Sequence, residues 1–131
     1  MSSRKLSDLR QDVRQMAEKH IELCTSAGID LLIYCTYRSN QEQNELYAQG
    51  RTAPGKIITN ARGGESQHNK IDAMKQPAAE GYDCVPVKNG KAIWDGKDSA
   101  WAIVIKCGED AGLQASARWS GKLRELCHFG V

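Results

Sequence analysis

The fold is decided by residues 81–95, which read GYDCVPVKNGKAIWD. Two β-rich runs, 81–87 and 91–95, flank the pair Asn89-Gly90, a dipeptide that strongly favours a two-residue hairpin turn. The sequence therefore predicts an antiparallel hairpin, and the other elements can be placed outward from it.

Upstream of the hairpin the pattern changes twice. Residues 6–26 repeat apolar side chains at helical spacing, which predicts an amphipathic helix. Residues 30–38, DLLIYCTYR, are rich in β-formers and predict a buried strand. Ser39 or Asn40 then caps a second helix, which ends at Gly50.

The remaining segments complete the predicted architecture. Residues 51–79 show no sustained period and predict a long loop, which in a small domain is usually functional. Residues 97–111 predict a third helix, and residues 115–119 and 127–131 predict two short strands. This order indicates an α+β fold, with one small antiparallel sheet and about three helices on a side of it.

Length and composition exclude several classes of protein. The 131 residues fit a single domain, residues 1–131, without room for a second module. A net charge of +2 is too small to indicate nucleic-acid binding. No apolar run is long enough to cross a membrane, and the polar start predicts no signal peptide and folding in the cytoplasm. The five cysteines lack a C-x-x-C spacing and are interpreted as small buried side chains.

The histidines are the candidates for metal chemistry. His20 lies on the inner face of the first predicted helix, which indicates a structural role. His68 lies in the long loop and His128 in the last predicted strand; Asp83 in the hairpin is the natural third ligand. Catalytic zinc takes three protein ligands and leaves a fourth position open to water. Glu125 could then act as the base. On spacing alone, the alternative is that these are two loop histidines without a shared metal and that the acids are scattered over the surface.

Most of the chain resembles a known family of peptidoglycan-cleaving enzymes. Residues 34–129 are similar to the phage L-alanyl-D-glutamate peptidases, relatives of the D-alanyl-D-alanine carboxypeptidases and the vancomycin-resistance dipeptidases. The resemblance is carried by Arg-Ser at 38–39, LYAQGRT at 46–52, G-x-x-x-T at 55–59, Ser-x-His at 66–68, Asp-Cys-Val-Pro at 83–86 and Glu-x-x-His-Phe at 125–129.

The resemblance implies a hedgehog or D,D-peptidase-like fold with a zinc site in a cleft on the sheet. His68, Asp83 and His128 would be the zinc ligands, and Glu125 the general base. Arg38 would bind a carbonyl or carboxylate of the substrate, since its planar guanidinium suits a developing oxyanion.

Two further positions each have two possible interpretations. Ser66 would support the metal ligands by hydrogen bonding, or it is a turn residue. Trp119 would line the cleft, or it belongs to the core.

The spacing between the first two ligands departs from the family pattern, which places the Asp seven residues after the first His. Here Asp83 follows His68 by fifteen residues, which we interpret as an insertion in a surface loop. Asp72 and Glu80 lie in that interval and are the alternative ligands. The strand and the Val-Pro pair that follow Asp83 favour it.

The function implied is zinc-dependent hydrolysis of a stem-peptide bond, L-Ala-D-Glu, by an endolysin. The alternatives are a D-alanyl-D-alanine carboxypeptidase with the same site and a metal-free, degenerate wall-binding domain. We expect a monomer that stays in the host cytoplasm until a separate membrane-permeabilising protein releases it. Its partner would be the peptidoglycan stem peptide, with neither nucleic acid nor membrane insertion involved.

Overall fold

The structure, a computed structural model, describes residues 2–118 and 126–131. Within them lie the helices α1 (Gln11–Ser26), α2 (Asn40–Ala48) and α3 (Ser99–Asp110). The strands are β1 (Asp30–Cys35), β2 (Gly81–Lys88), β3 (Lys91–Ala92), β4 (Gln114–Ala115) and β5 (His128–Gly130). None of the described helices is long and apolar enough to cross a membrane.

The strands form one antiparallel sheet in the order β1-β2-β5-β4, with β2 near its centre. β5 pairs with the start of β2, and β3 pairs with the end of β2 through the predicted hairpin. Asn89 and Gly90 both have positive φ at the turn, as this hairpin type requires. The α+β prediction is confirmed.

Two predicted boundaries were wrong because the amino-terminal segment pairs with other parts of the chain. The first α-helix begins at Gln11 and not at Leu6, since the Arg10 amide donates to the Ala79 carbonyl at 2.9 Å and holds Arg10 extended. The first strand ends at Cys35, since the Thr36 amide donates to the Ser3 carbonyl at 2.7 Å.

The later boundaries differ for local reasons. Ser39 caps α2 as predicted, accepting from the Glu42 amide at 3.1 Å. α3 begins two residues later than predicted because Asp98 caps it, accepting from the Ala100 amide at 2.9 Å. The strand predicted over 115–119 becomes the two-residue β4 and a short 3-10 helix, Ser116–Arg118.

Alternation along β2 separates the core from the opposite face of the sheet. Tyr82 and Cys84 are fully buried in the hydrophobic core with Phe129 of β5. Successive side chains of a strand point to opposite faces, so Asp83 and His128 share the other face. The core therefore fixes where the polar residues of the central strands lie.

Candidate metal centre

Strand register brings three polar side chains into one row. Asp83 on β2 pairs with His128 on β5 and with Cys35 on β1. The register of β1 shifts between Ile33 and Cys35, a bulge that places Cys35 opposite Asp83. Directly opposed residues share a face, so the three side chains lie side by side.

His68 reaches this row from the long loop, on the 3-10 helix Gln67–Asn69. Ser66 caps this helix by accepting from the His68 amide at 3.1 Å. The His68 carbonyl accepts from the Arg38 amide at 2.9 Å, and Asn69 Nδ2 donates to the Arg38 carbonyl at 2.8 Å. These bonds fasten the loop to the segment that follows β1 and hold the His68 ring over the sheet.

The two imidazoles meet at one carboxylate oxygen. Asp83 Oδ1 lies 3.2 Å from His68 Nε2 and 3.0 Å from His128 Nδ1. All three residues are buried. The closest atoms are therefore two ring nitrogens and one oxygen, in a place with little water.

In each histidine, the ring nitrogen that does not face Asp83 has a hydrogen-bond partner of its own. His68 Nδ1 lies 2.8 Å from the Thr36 carbonyl, which can only accept, so Nδ1 carries the proton. His128 Nε2 lies 2.6 Å from Gln67 Oε1, which also accepts. In the neutral rings the lone pairs therefore sit on His68 Nε2 and His128 Nδ1, facing Asp83.

Three lone-pair atoms that converge inside a protein require a cation between them. Zinc–ligand distances near 2.1 Å place tetrahedral ligand atoms about 3.4 Å apart, close to the two separations from Asp83 Oδ1, 3.2 Å to His68 Nε2 and 3.0 Å to His128 Nδ1. Two imidazoles and one carboxylate are also a known ligand set for catalytic zinc. The residues present thus fit a zinc ion.

If no metal were bound, protons would supply the positive charge between these atoms. Burial lowers the pKa of His68, but the hydrogen bond and charge of Asp83 outweigh burial and raise this pKa to about 10. Burial raises the pKa of Asp83, and the two histidines more than compensate, so it lies well below its usual value. The cluster is thus arranged to hold positive charge against Asp83.

Cys35 is a further candidate ligand. One ligand atom each of Cys35, His68 and Asp83 lie within 4.8 Å of one another. However, Cys35 Sγ contacts His68 Nδ1, at 3.5 Å, and this is the nitrogen that donates to Thr36. The thiol therefore contacts the ring nitrogen that points away from Asp83, and not the one that faces it.

A cleft of about 340 Å³ opens beside these groups, and Arg38 lies in its wall. The guanidinium donates to Ser2 Oγ at 3.1 Å, Gln43 Oε1 at 3.0 Å and Cys35 Sγ at 3.3 Å. None of these acceptors is a carboxylate, and no ion pair of Arg38 occurs within residues 2–118 and 126–131. Its charge is available to an anionic group in the cleft.

The alternative acids of the insertion are engaged elsewhere. Asp72 is exposed and accepts from the amides of Met74 and Gln76 in its own turn, at 2.8 and 2.9 Å. Glu80 pairs with Arg10 at 2.9 Å. The structure therefore brings Asp83, and neither of these acids, to the two histidines.

Other predicted residues fall into two groups. His20 is fully buried between the Tyr82 hydroxyl and the Val104 carbonyl, 2.7 and 2.8 Å from its ring nitrogens, in keeping with a structural role. Trp119 and Glu125 lie outside the described residues.

Sequence reasoning missed three residues of the site. Cys35 reaches it only through the bulge in β1. Gln43 is fully buried and links Arg38 to the loop, donating to Thr59 Oγ1 at 3.2 Å and to the Ala61 carbonyl at 2.9 Å. Gln67 contacts His128, and its position next to His68 was the one signal that could have indicated it.

Comparisons with known proteins give the family. The profile of the VanY D-alanyl-D-alanine carboxypeptidase family matches residues 6–82, which include Arg38 and His68. The chain belongs to this family of peptidoglycan peptidases, and the resemblance seen in the sequence is confirmed.

A curated relative is the peptidoglycan L-alanyl-D-glutamate endopeptidase CwlK of Bacillus subtilis (strain 168). It is 38% identical over 124 residues, which cover 86% of this chain and 68% of CwlK. This relative and the family profile agree on a peptidase that acts on peptidoglycan.

Two solved structures share the fold. The L-Ala D-Glu endopeptidase ChiX of Serratia marcescens superposes with a TM-score of 0.64 at 15% identity, over 100% of this chain and 88% of ChiX. The LD-carboxypeptidase LdcB superposes with a TM-score of 0.68 at 16% identity, over 93% of this chain and 58% of LdcB.

Proposed function

We propose that this chain is a zinc-dependent endopeptidase that hydrolyses the bond between L-alanine and D-glutamate in the peptidoglycan stem. The observation that carries the proposal is the convergence of His68 Nε2 and His128 Nδ1 on Asp83 Oδ1, beside a cleft that holds Arg38. The choice of bond is supported by the 38% identity to CwlK, an endopeptidase of that specificity by name.

Each residue of the proposed site has a separate role in the reaction. His68, Asp83 and His128 would hold the ion, and bound zinc supplies an acidified water and a polarised scissile carbonyl. Arg38 binds an oxygen of the substrate, either the carbonyl that gains charge or a nearby carboxylate. Glu125 takes the proton of the attacking water and delivers it to the leaving amine.

Ser66 acts on the backbone in this scheme. Its hydroxyl accepts from the His68 amide, so it shapes the turn that carries the first ligand. This hydrogen bond supports the interpretation of Ser66 as a turn residue, and Ser66 would then support the site only through the backbone that carries His68.

Carboxypeptidase activity is the second candidate, because the family profile is named for D-alanyl-D-alanine carboxypeptidase and LdcB is an LD-carboxypeptidase. Both activities use one metal site, and they differ in the position of the bond along the stem. A metal-free wall-binding domain is the third candidate, and the family profile and CwlK, both peptidases by name, argue against it.

The biological setting is proposed from the sequence resemblance. We propose that the chain is a monomeric phage endolysin, with residues 1–131 forming one catalytic domain. It would stay in the host cytoplasm until a separate membrane-permeabilising protein gives it access to the wall. Expression in a bacterial host with and without a permeabilising protein tests this, because lysis is expected only with both.

Mass spectrometry of purified muropeptides tests the reaction. Cleavage at L-Ala-D-Glu separates a stem fragment that begins at D-Glu from a disaccharide that keeps L-Ala. Release of a terminal D-Ala would favour the carboxypeptidase instead. Intact muropeptides after digestion with zinc-loaded protein would refute both activities, and His68→Ala serves as the inactive control.

A further inference from the structure

The side-chain amide of Gln67 bridges His128 and the main chain of the last residue. Gln67 Nε2 donates to the Val131 carbonyl at 2.6 Å, and Gln67 Oε1 lies 2.6 Å from His128 Nε2. Because the Val131 carbonyl can only accept, the amide cannot be flipped without placing two acceptors together. Its oxygen is therefore the atom that faces His128.

Two facing glycines make room for this amide. Gly81 on β2 and Gly130 on β5 are direct partners across the strands. A Cβ on Gly81 would lie 2.6 Å from Gln67 Oε1 and 2.8 Å from His128 Nε2, and a Cβ on Gly130 would collide with the same oxygen. Neither glycine has positive φ, so the requirement here is for space and not for backbone freedom.

The loop backbone holds Gln67 in this notch formed by Gly81 and Gly130. The Gln67 carbonyl accepts from the Glu80 amide at 2.9 Å, one residue before β2 begins. The Val131 amide donates to the Glu80 carbonyl at 3.1 Å, so the three segments are bonded in a ring. Hydrogen bonds thus hold Gln67 both at its main chain and at its side-chain amide.

We propose that Gln67 is a positioning residue that sets the tautomer of His128. A neutral imidazole carries one N–H, and an acceptor at Nε2 keeps that proton there. The lone pair is then on Nδ1, which faces Asp83 Oδ1 at 3.0 Å. The inference rests on the proposed ligand set, and it adds that Gln67 and the glycine notch prepare His128 to bind metal before the metal arrives.

A purely structural role for Gln67 predicts different behaviour. If Gln67 only ties down Val131, then every substitution that loses the donor to Val131 should have the same effect. Gln67→Glu loses that donor but keeps an acceptor for His128, whereas Gln67→Met loses both. The pair of variants therefore separates the two roles.

The experiment measures zinc affinity by competition with a chelator, together with ¹H–¹⁵N correlation spectra of the histidine rings in the zinc-free and the zinc-loaded chain. Gln67→Met is expected to bind zinc about 10–100-fold more weakly and to lose the protected His128 Nε2–H signal. Gln67→Glu is expected to keep the His128 Nε2–H signal and a zinc affinity at or above the wild-type level, because its carboxylate still accepts at His128; its second oxygen repels the Val131 carbonyl, so only the free energy of unfolding should fall. Gln76→Met, in the exposed turn of the insertion, is the matched control and should change neither.

Gly130→Ala keeps Gln67 but fills the notch, and the atoms nearest to its Cβ belong to Gln67 and the Glu80 carbonyl and not to His128. It should weaken zinc binding in the same direction as Gln67→Met and provides a second test should that variant fold poorly. Wild-type zinc affinity in both Gln67→Met and Gly130→Ala would overturn the inference, as would equal losses in Gln67→Met and Gln67→Glu. A wild-type chain that binds no zinc would instead refute the proposed function.

Discussion

His68 Nε2 and Asp83 Oδ1 lie 3.2 Å apart although the two residues are 15 positions apart along the chain. The segment between them closes on itself, because the Ala78 amide donates to the Lys70 carbonyl at 2.9 Å and Ile71 forms a β-bridge with Pro77. The additional residues therefore leave the sheet as a small loop without moving either side chain from the site. Lengthening such a surface loop costs little free energy, because the closure entropy grows slowly with its length.

The closed loop gives the first prediction, on the identity of the acidic ligand. Asp83→Ala should lose zinc and activity, whereas Asp72→Ala and Glu80→Ala should keep bound zinc and most activity. Asp72 caps its own turn and Glu80 pairs with Arg10, so these variants lose only contacts that lie outside the site, worth about 1 kcal/mol. Zinc content by elemental analysis decides the matter, and zinc retained in Asp83→Ala but lost in either control would exclude Asp83.

The second prediction concerns the histidines. His68→Ala and His128→Ala should each abolish tight zinc binding, because two remaining ligands hold zinc poorly. Wild-type protein should bind one zinc per chain, and chelation should remove activity reversibly. His20→Gln is the control, since its ring contacts Tyr82 and Val104 in the core, away from Asp83. Full zinc content in His68→Ala would rule out the proposed ligands.

The prediction of the fold was correct where a strong local sequence pattern determines the structure. The Asn89-Gly90 turn and the cap at Ser39 each depend on local residues, and both occur as predicted. The ends of the first helix and first strand could not be predicted in the same way. Pairing of Arg10 with Ala79 and of Thr36 with Ser3 sets them, and such long-range bonds leave no periodic trace in the sequence.

The same distinction applies to the residues of the site. Family motifs indicated His68, Asp83 and His128 by order along the chain. Gln67 and Cys35 depend on strand register, through the facing glycines in one case and the bulge in β1 in the other. A register is a relation between distant segments, so neither contact could be inferred from one residue type at one position.

The third prediction tests Arg38. Arg38→Lys keeps the positive charge but loses the planar fork that fits a carboxylate or an oxyanion. Turnover should fall by about 10²–10³-fold with zinc content unchanged, the loss typical for removal of one oxyanion donor. Steady-state kinetics on a defined muropeptide measure it. Activity within a few-fold of wild type would remove Arg38 from the catalytic scheme.

A fourth prediction follows from the contact between Arg38 and Gln43. Gln43→Leu removes the acceptor at 3.0 Å from Arg38 and both bonds to the loop, at Thr59 and Ala61. Because Gln43 is fully buried, the variant should lose about 1–3 kcal/mol of unfolding free energy and bind substrate more weakly. Gln41→Leu, exposed on the same helix, is the matched control. Equal KM values for the two variants would contradict this role.

The last prediction concerns pH and His20. Burial lowers the pKa of His20 from 6.5 to about 4, although the bond to the Val104 carbonyl opposes that shift. In the unfolded chain the ring takes up a proton near pH 6.5, while in the folded chain it stays neutral until about pH 4. The unfolded state therefore binds more protons in this window, so folding stability is complete above pH 6.5 and falls as the pH drops towards 4.

The loss due to His20 should reach about 3 kcal/mol at pH 4, since each pKa unit of difference corresponds to about 1.4 kcal/mol. Urea unfolding of the wild type and of His20→Gln at several pH values measures it. The variant should be less stable at pH 7, because it loses a well-fitted buried ring, but its stability should fall less steeply with acid. All other titrating groups, His68 and Asp83 included, are present in both proteins, so their contributions cancel in the difference. Parallel profiles between pH 6.5 and 4 would show that His20 is not the group that makes the fold sensitive to acid.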